Sequence, residues 1–444
     1  MDAEACYRAV EGRDARFAGR FFLGVRTTHV YCRPGCPART PRRENALFFP
    51  SAAAAQQAGF RACMRCRPDA APGTPAQAGT AATLSRAVRL LEESGDASGL
   101  SDRLGVTDRH LRRLFARHLG ASPATVLRTR RLHLARQLIE TSALSMIDVA
   151  HAAGFQSLRR FNDAVKMGFG RSPSELRKQA AGEPATLTLK LPFHPPLDFE
   201  ALLAFLGKRA LPGLEEVEDG AWRRRLPEGL LEVRRAGERH LEARMPAALA
   251  PRALQISARI QRVFDLRADP EPIVAHLSRD PALAKFLRPG LRIPGAWNPF
   301  EMAVRAILGQ QISVQRARAM AIALVERFGG FPTPEQLATA DLRGMPGARA
   351  NAITGLSRAV LDGRVRLDGA QDLDSAAAAL CELPGIGDWT AQLIALRALG
   401  EPDAFPAADL GLLQAMQLSP RELRARAEEW RPWRGYAAAA IWLS

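Results

Sequence analysis

An aspartate and the glycine-rich turn that precedes it form one candidate site for chemistry in this chain. Residues 383–387 read Leu-Pro-Gly-Ile-Gly, in which Pro384 ends a helix and Gly385 and Gly387 permit the positive φ angles of a sharp reversal. The N–H groups at the start of the next helix suit a phosphate oxygen. Asp409 follows Gly387 by twenty-two residues. The pattern predicts a site that binds a nucleic-acid backbone beside a carboxylate. The alternatives are an ordinary turn between two packed helices for the glycines and a helix N-cap for Asp409.

Four cysteines form the second candidate site. Three residues separate Cys32 from Cys36, two separate Cys63 from Cys66, and twenty-six lie between the pairs. Two close pairs are what a tetrahedral Zn²⁺ site needs, because each pair can wrap one edge of the ion. On spacing alone, a purely structural zinc site remains the alternative.

Composition indicates an intracellular, nucleic-acid-binding protein of about three domains. The 444 residues are 47% hydrophobic and carry a net charge of +16. Residues 1–180 hold 29 basic and 15 acidic side chains, so most of the positive charge lies there and points to an anionic polymer as partner. Neither a signal peptide nor an apolar run of eighteen residues is present, which predicts a cytoplasmic protein without a membrane partner.

Helical periodicity dominates from about Leu84 to Gln179 and contains two helix-turn-helix patterns, near 100–115 and 147–161. Gly105 is expected at the first turn and Thr107 as the N-cap of the helix that follows. Arginines on the helix after each turn could bond phosphate or read guanine, whereas a solvated charged face is the alternative. These candidate DNA-binding residues are Arg109, Arg112, Arg113, Arg159 and Arg160.

Small residues at 76–83 and 180–185 predict linkers on either side of this helical region. Alternating apolar residues in 187–248 then predict antiparallel strands around a helix at 199–208. From Pro251 onwards the pattern is almost wholly helical.

Three separated stretches, 304–314, 383–391 with Asp409, and 430–442, resemble the AlkA branch of the helix-hairpin-helix DNA glycosylases. The resemblance implies that Asp409 is catalytic and that the hairpin at Gly385 and Gly387 binds DNA, with a monovalent cation at its carbonyls. It further implies that Trp389 and Trp442 line the base pocket, where their π faces attract a cationic base. The residues matching the loop that fills the vacated stack are Gln310 and Gln311.

Residues 19–28, 30–36, 42–45 and 58–68 resemble the N-terminal domain of Ada, and the helices that follow resemble an AraC-type DNA-binding domain. The first resemblance implies that Cys32 accepts a methyl group from a DNA phosphotriester and that Cys36, Cys63 and Cys66 complete the zinc shell. Four thiolates on one Zn²⁺ would keep the sulfur nucleophilic at neutral pH. A stretch of the type that accepts O6-alkyl groups is missing, so repair of O6-alkylguanine is not expected.

The sequence thus predicts a multidomain Ada–AlkA fusion. Its parts are a small α+β zinc domain (1–75), an all-α AraC-type double helix-turn-helix domain (84–179), a small α+β sheet subdomain (187–296) and an all-α helix-hairpin-helix glycosylase domain (297–444). The expected function is excision of alkylated bases such as 3-methyladenine, combined with transcriptional sensing of alkylation. The alternative is a regulator whose glycosylase half is inactive and clamps DNA. The expected partners of the monomer are alkylated and promoter double-stranded DNA, and RNA polymerase.

Overall fold

A computed structural model describes residues 2–14, 17–66, 68, 81–177 and 185–444. The chain forms two compact units. The first combines Met1–Pro195, Pro227–Ala258 and Leu266–Asp269, and the second combines Pro196–Leu226, Arg259–Asp265 and Pro270–Ser444. Among the described residues, no helix is long and apolar enough to cross a membrane.

The N-terminal part of the first unit is a small α+β layer. Its sheet contains β1 (Phe22–Val25), β2 (Val30–Cys32), β3 (Ala46–Phe49) and β4 (Arg61–Ala62). The strand order is β3-β1-β2-β4, with β2 and β4 parallel and the other pairs antiparallel. Phe21, Leu23 and Ala46 of this layer are buried together with the cysteines. Two helices, α1 (Ala3–Glu11) and α2 (Ala52–Gln57), belong to the same layer.

A helical region follows, and side-chain caps set where its helices begin. Thr107 and Ser157 each accept a hydrogen bond from the backbone N–H three residues on, as a helix N-cap does. The helices are α3 (Ala81–Ser94), α4 (Leu100–Leu104), α5 (Asp108–Leu119), α6 (Pro123–Thr141), α7 (Met146–Ala152), α8 (Leu158–Phe169) and α9 (Pro173–Leu176). Helix α3 begins within the stretch expected to be a linker at 76–83, because Ala81 and Ala82 favour a helix. Residues 76–80 and 180–184 of the two expected linkers lie outside the described part of the chain.

The predicted strands are present. In the first unit, β9 (His240–Pro246) pairs antiparallel with β5 (Thr186–Pro192) and with β8 (Gly229–Arg235). Buried and exposed residues alternate along β5, which explains the period-two pattern. Two side chains of α6, Gln137 and Thr141, hydrogen-bond to the backbone of β5.

In the second unit, the predicted helix is α10 (Phe199–Gly207), and β6 (Glu215–Glu218) and β7 (Ala221–Leu226) form a hairpin. After β9 the chain is helical to its end. The helices are α11 (Ala253–Val263), which begins in the first unit, and then α12 (Pro270–Leu277), α13 (Pro281–Ala284), α14 (Pro299–Leu308), α15 (Val314–Phe328), α16 (Pro334–Thr339), α17 (Gly347–Leu361), α18 (Leu373–Cys381), α19 (Asp388–Arg397), α20 (Leu410–Met416), α21 (Pro420–Ala427) and α22 (Arg434–Leu443). The expected multidomain architecture of small sheets and helical domains is confirmed.

Close packing positions the helix that carries Trp442. Helix α22 buries a run of small residues, Ala437–Ala440, within the second unit. At its start, a Cβ on Gly435 would lie only 2.3 Å from Leu396 Cδ1 and 2.7 Å from the carbonyl oxygen of Pro402. Only glycine allows α22 to come this close to the end of α19.

Candidate functional site

Asp409 is held by four neutral hydrogen-bond donors. As the N-cap of α20, its Oδ1 accepts from the backbone N–H groups of Gly411 and Leu412, at 3.1 and 3.3 Å. The indole Nε1 of Trp442 donates to the same oxygen at 3.2 Å, and Nε1 of Trp389 donates to Oδ2 at 3.2 Å. The carboxylate is half-exposed, and within the described chain Oδ2 accepts one hydrogen bond. A fixed carboxylate therefore keeps one lone pair for a ligand.

Trp389 and Trp442 both lie at Asp409, where each donates a hydrogen bond to the carboxylate. Each indole uses its N–H edge to hold the carboxylate, so an aromatic face remains for a flat ligand. The ring of Phe205 lies 6.3 Å from the ring of Trp442, at an interplanar angle of 30°. Phe205 extends the aromatic wall from α10, and the sequence pattern did not single it out.

The hairpin before α19 has the expected backbone reversal at only one of its two glycines. Gly385 has a φ of +85°, and Leu383 and Ile386 anchor the turn in the core. Gly387 is the N-cap of α19 with φ −94° and ψ 177°, so the expectation of a positive φ there is wrong. This is extended backbone that any residue can adopt.

Space, rather than conformation, distinguishes Gly387. A Cβ at Gly387 would meet no protein atom within 4 Å, whereas one at Gly385 would lie 3.0 Å from Ala352 Cβ. Gly387 thus leaves the start of α19 open to the approach of a ligand. A backbone N–H at a helix N-terminus in such an opening suits an anion.

Gln310 and Gln311 have different roles in the loop between α14 and α15. The side-chain amide of Gln310 donates to the carbonyl oxygen of Gly385 at 2.8 Å and to Thr390 Oγ1 at 3.0 Å, and Arg349 donates to the backbone oxygen of Gln310. Gln310 therefore ties the loop to the hairpin. Gln311 is exposed in the left-handed region, at φ +55°, which is uncommon for glutamine. Of the two, Gln311 is the side chain that can reach into a DNA stack.

A buried ionic network supports the segment next to this site. Glu301 of α14 pairs with Arg224 at 2.6 Å and with Arg305 at 3.1 Å, and Glu215 pairs with Arg305 at 2.8 Å. Burial alone would raise the pKa of Glu301, but Arg224 and Arg305 lower it below its ordinary value. Arg305 also donates to the backbone oxygen of Arg209, just after α10. The network fixes the end of α10 against α14, and charge patterning in the sequence did not predict it.

In the first unit, parallel pairing of β2 with β4 brings the two cysteine pairs together. Cys32 is the last residue of β2, and Cys63 directly follows β4. The Sγ atoms of Cys32, Cys36, Cys63 and Cys66 all lie within 4.8 Å of one another, and all four are free thiols. Sulfur atoms around a tetrahedral Zn²⁺ lie about 3.8 Å apart, given Zn–S bonds of about 2.3 Å. The four thiolates fit one Zn²⁺, which would hold them deprotonated.

The four cysteines differ in exposure. Cys32 is 4% exposed, Cys63 8% and Cys66 2%, whereas Cys36 is partly exposed. Access therefore favours Cys36 over Cys32 as the sulfur that meets a large substrate, although the family resemblance favours Cys32.

A buried polar cluster joins the zinc domain to helix α6. Tyr31, the residue before Cys32, is fully buried, and its hydroxyl lies 3.0 Å from Gln56 Nε2 and 3.3 Å from His133 Nε2. Thr129 of α6 donates to Gln56 Oε1 at 2.8 Å. His133 is therefore a hydrogen-bonded core residue.

The two helix-turn-helix units form as expected. Gly105 ends α4 in the left-handed region, at φ +65°, and Thr107 caps α5; Ser157 caps α8 in the second unit. All five candidate arginines on the helices after the two turns are exposed, namely Arg109, Arg112, Arg113, Arg159 and Arg160. Arg117 of α5 is exposed as well.

Four family models match the chain in order. Residues 5–69 match the metal binding domain of Ada, 100–179 a helix-turn-helix domain, 188–298 the AlkA N-terminal domain, and 304–419 the HhH-GPD superfamily of base excision DNA repair proteins. Fold and site together define an Ada-type metal-binding regulator joined to a helix-hairpin-helix repair domain.

Relatives show the same organisation. The chain is 42% identical, over 99% of its length and 96% of the relative's, to the Mycobacterium tuberculosis protein named "Probable bifunctional transcriptional activator/DNA repair enzyme AlkA". It is 35% identical to the Escherichia coli DNA-3-methyladenine glycosylase 2, over 57% of this chain and 95% of the relative. The Escherichia coli transcriptional activator/DNA repair enzyme Ada is 32% identical, over 36% of this chain and 46% of the relative. The chain belongs to the family of Ada–AlkA fusion proteins.

Proposed function

We propose that the second unit is a monofunctional DNA glycosylase that hydrolyses the N-glycosidic bond of alkylated bases such as 3-methyladenine. The observation that carries this proposal is the carboxylate of Asp409, fixed by two indole and two backbone N–H groups beside an open hairpin. The names and matches of the relatives support the same activity.

The proposed mechanism begins with a flipped nucleotide, because the bond is out of reach inside the base stack. The exposed N–H groups of the hairpin at Gly385 and Gly387 hold the DNA backbone, and Gln311 fills the gap in the stack. The faces of Trp389 and Trp442 hold the cationic base. As the bond from C1′ to the base breaks, positive charge builds on the sugar.

Asp409 stabilises this positive charge electrostatically, since its carboxylate is already oriented before the reaction. Oδ2, which keeps a lone pair, also orients or deprotonates the attacking water. A Schiff-base lysine two residues after the last hairpin glycine would allow strand cleavage, but that position is Trp389. Excision without a covalent sugar adduct is the consequence.

The test is an excision assay on duplex DNA containing 3-methyladenine, with the wild type and Asp409→Asn. The variant should bind DNA normally and lose excision by on the order of 10³-fold, because the donors around residue 409 remain while the charge is gone. Full activity of Asp409→Asn would remove the catalytic role. Borohydride treatment should trap no wild-type adduct, and a trapped adduct would show a bifunctional mechanism.

We further propose that the first unit senses alkylation through Cys32. The cluster of four sulfur atoms carries this proposal. The Cys32 thiolate attacks the methyl carbon of a phosphotriester, an S–C bond forms as the C–O bond breaks, and the phosphodiester leaves as an anion. Loss of one negative charge from the cluster reduces its repulsion of DNA phosphates. Affinity for promoter DNA should therefore rise, and RNA polymerase is the partner that activation requires.

Mass spectrometry after exposure to methylphosphotriester DNA tests the acceptor. The expected result is one methyl group on Cys32; a methyl group on the more exposed Cys36 would replace that assignment. Binding to promoter DNA should then depend on the arginine pairs Arg112/Arg113 and Arg159/Arg160. Replacing a base-reading arginine by alanine should cost about 1–3 kcal/mol at one base position.

The proposal includes the four domains 1–75, 84–179, 187–296 and 297–444, a monomeric state, a cytoplasmic location at the nucleoid, and a monovalent cation at the hairpin carbonyls. The competing function is a regulator whose glycosylase half only clamps DNA. The fixed carboxylate argues against it, because a clamp needs hairpin donors but no oriented Asp409. A wild type that binds methylated DNA and releases no base would favour the clamp.

A further inference from the structure

Arg209 packs against Phe205, the aromatic residue next to Trp442. Its guanidinium carbon is 3.6 Å from the centre of the Phe205 ring, and that ring neighbours Trp442, which donates to Asp409. Arg397 lies over the same ring, at 5.0 Å. Two cations therefore lie over the ring that neighbours Trp442.

Neither cation has a carboxylate in ion-pair contact within the described residues. Arg209 Nη1 donates to the carbonyl oxygen of Phe205 at 3.1 Å, and Arg397 Nε donates to that of Pro294 at 2.9 Å. Burial, followed by repulsion from Arg305, lowers the pKa of Arg209 to about 10, and Asp409 acts to raise it. Arg209 is thus charged at neutral pH, half-buried, and within the electrostatic reach of Asp409.

The charge of the departing base decides what such a cation does. In the hydrolysis, an O–C1′ bond to water forms, the C1′–N bond breaks, and the electron pair goes to the base nitrogen. A cationic alkylated base leaves as a neutral molecule. An uncharged damaged base leaves as an anion, which then takes up a proton.

A positive potential at the base pocket affects the two substrate classes differently. For an uncharged base, the positive potential does not change the free energy of the bound substrate, but it stabilises the departing anion, so kcat/KM rises. For a cationic base, the positive potential destabilises the bound substrate but does not change the free energy of the departing neutral base, so kcat/KM does not change. In both classes the rate from the bound state rises, because the charge on the base falls by one.

We propose that Arg209 is a specificity-determining residue that stabilises the departing base and so extends excision to uncharged damaged bases. The inference depends on the glycosylase activity proposed above. Phe205 positions the guanidinium, and the buried pair of Arg305 with Glu215 holds the backbone of Arg209 in place.

The experiment compares the wild type and Arg209→Gln on two duplexes, one with cationic 7-methylguanine and one with uncharged hypoxanthine. On hypoxanthine, kcat/KM should fall by about 10- to 100-fold, as for loss of a preorganised electrostatic contact. On 7-methylguanine, kcat/KM should stay within about threefold, while kcat and KM both fall. Lys208→Gln, which removes an exposed neighbouring charge, is the matched control and should change neither substrate.

Equal losses of kcat/KM on both duplexes would overturn the inference, since a structural or DNA-binding role would produce them. A wild type that excises 7-methylguanine but not hypoxanthine would overturn it as well. A wild type inactive on 7-methylguanine would instead contradict the glycosylase function itself. If Arg209→Gln fails to fold, Arg209→Met keeps the packing stem against Phe205 and tests the same prediction.

Discussion

Two aspartates of the second unit have almost the same local structure. Asp280 and Asp409 both cap a helix, α13 and α20, and both accept a hydrogen bond from an indole N–H. For Asp280 the indole is that of Trp430, at 2.8 Å; for Asp409 the indoles are those of Trp389 and Trp442. Cap and indole alone therefore do not identify a catalytic residue.

The difference lies in the counterion. Asp280 is 5% exposed and accepts from Arg426 Nε at 2.7 Å, which holds the pKa of its carboxyl at about 2. Asp409 is half-exposed and, within the described residues, hydrogen-bonds to neutral donors only. The charge of Asp280 is neutralised by Arg426 within the folded protein. The charge of Asp409 is left for a cation that arrives from outside, such as the sugar in the transition state.

The largest expected effect that tests this comparison is on stability. Asp280→Asn keeps the cap but weakens the charge-assisted hydrogen bonds that the buried carboxylate accepts from Arg426, and should lower the free energy of unfolding by about 3 kcal/mol. Asp409→Asn should change it by less than about 0.5 kcal/mol. All six tryptophans lie in the second unit, so tryptophan fluorescence during urea unfolding reports on that unit alone. Equal losses in the two variants would contradict the distinction.

Replacing the indole donors should affect excision at Asp409 and stability at Asp280. Trp442→Phe removes a donor from Asp409 and should slow excision by about 10²-fold, because the carboxylate loses part of its preorganisation. Trp430→Phe removes the corresponding donor from Asp280 and should reduce stability while leaving excision by the folded protein intact. Single-turnover excision at a temperature where both variants are folded is the measurement. A Trp430→Phe variant slowed as much as Trp442→Phe would show that excision follows stability.

How much of each site the sequence predicted depends on the distance of its contacts along the chain. The cysteine cluster followed from spacing, since each pair is local and only one strand pairing must join the two. The position of Asp409 followed from a motif, but its donors did not. Trp389 is 20 residues away and Trp442 is 33 away, and their N–H directions depend on how α19, α20 and α22 pack.

Two other features were beyond sequence reasoning for physical reasons. Phe205 and Arg209 lie about two hundred residues before Asp409, in a segment whose pattern predicts only antiparallel strands around a helix at 199–208. A positive φ was expected at Gly387 because glycine permits one, but a permitted conformation is not always the one adopted. In both cases the outcome depends on which residues are neighbours in space, and the local sequence does not reveal those neighbours.

The pH dependence of stability sharpens the comparison at a smaller magnitude. The pKa of Asp280 is below its ordinary value, so the unfolded chain binds more protons than the folded one between about pH 4 and pH 2. The stabilisation is complete above that window and is lost as the pH falls through it. The fluorescence-monitored unfolding free energy should decrease by about 2 kcal/mol over this range in the wild type, and less in Asp280→Asn. Identical pH profiles would remove Asp280 as the source.

The smallest expected effect concerns the two hairpin glycines, which again separate a residue used by the fold from one used by a ligand. Gly385→Ala places a Cβ at φ +85° and 3.0 Å from Ala352, and should destabilise the second unit by about 1–2 kcal/mol. Gly387→Ala has extended backbone and open space, so its stability should match the wild type. Its new methyl group stands where a DNA backbone would approach, and affinity for undamaged duplex should fall by about 1 kcal/mol. Unchanged affinity in Gly387→Ala, measured by fluorescence anisotropy with Gly330→Ala as a control at another open glycine, would show that DNA does not approach this helix start.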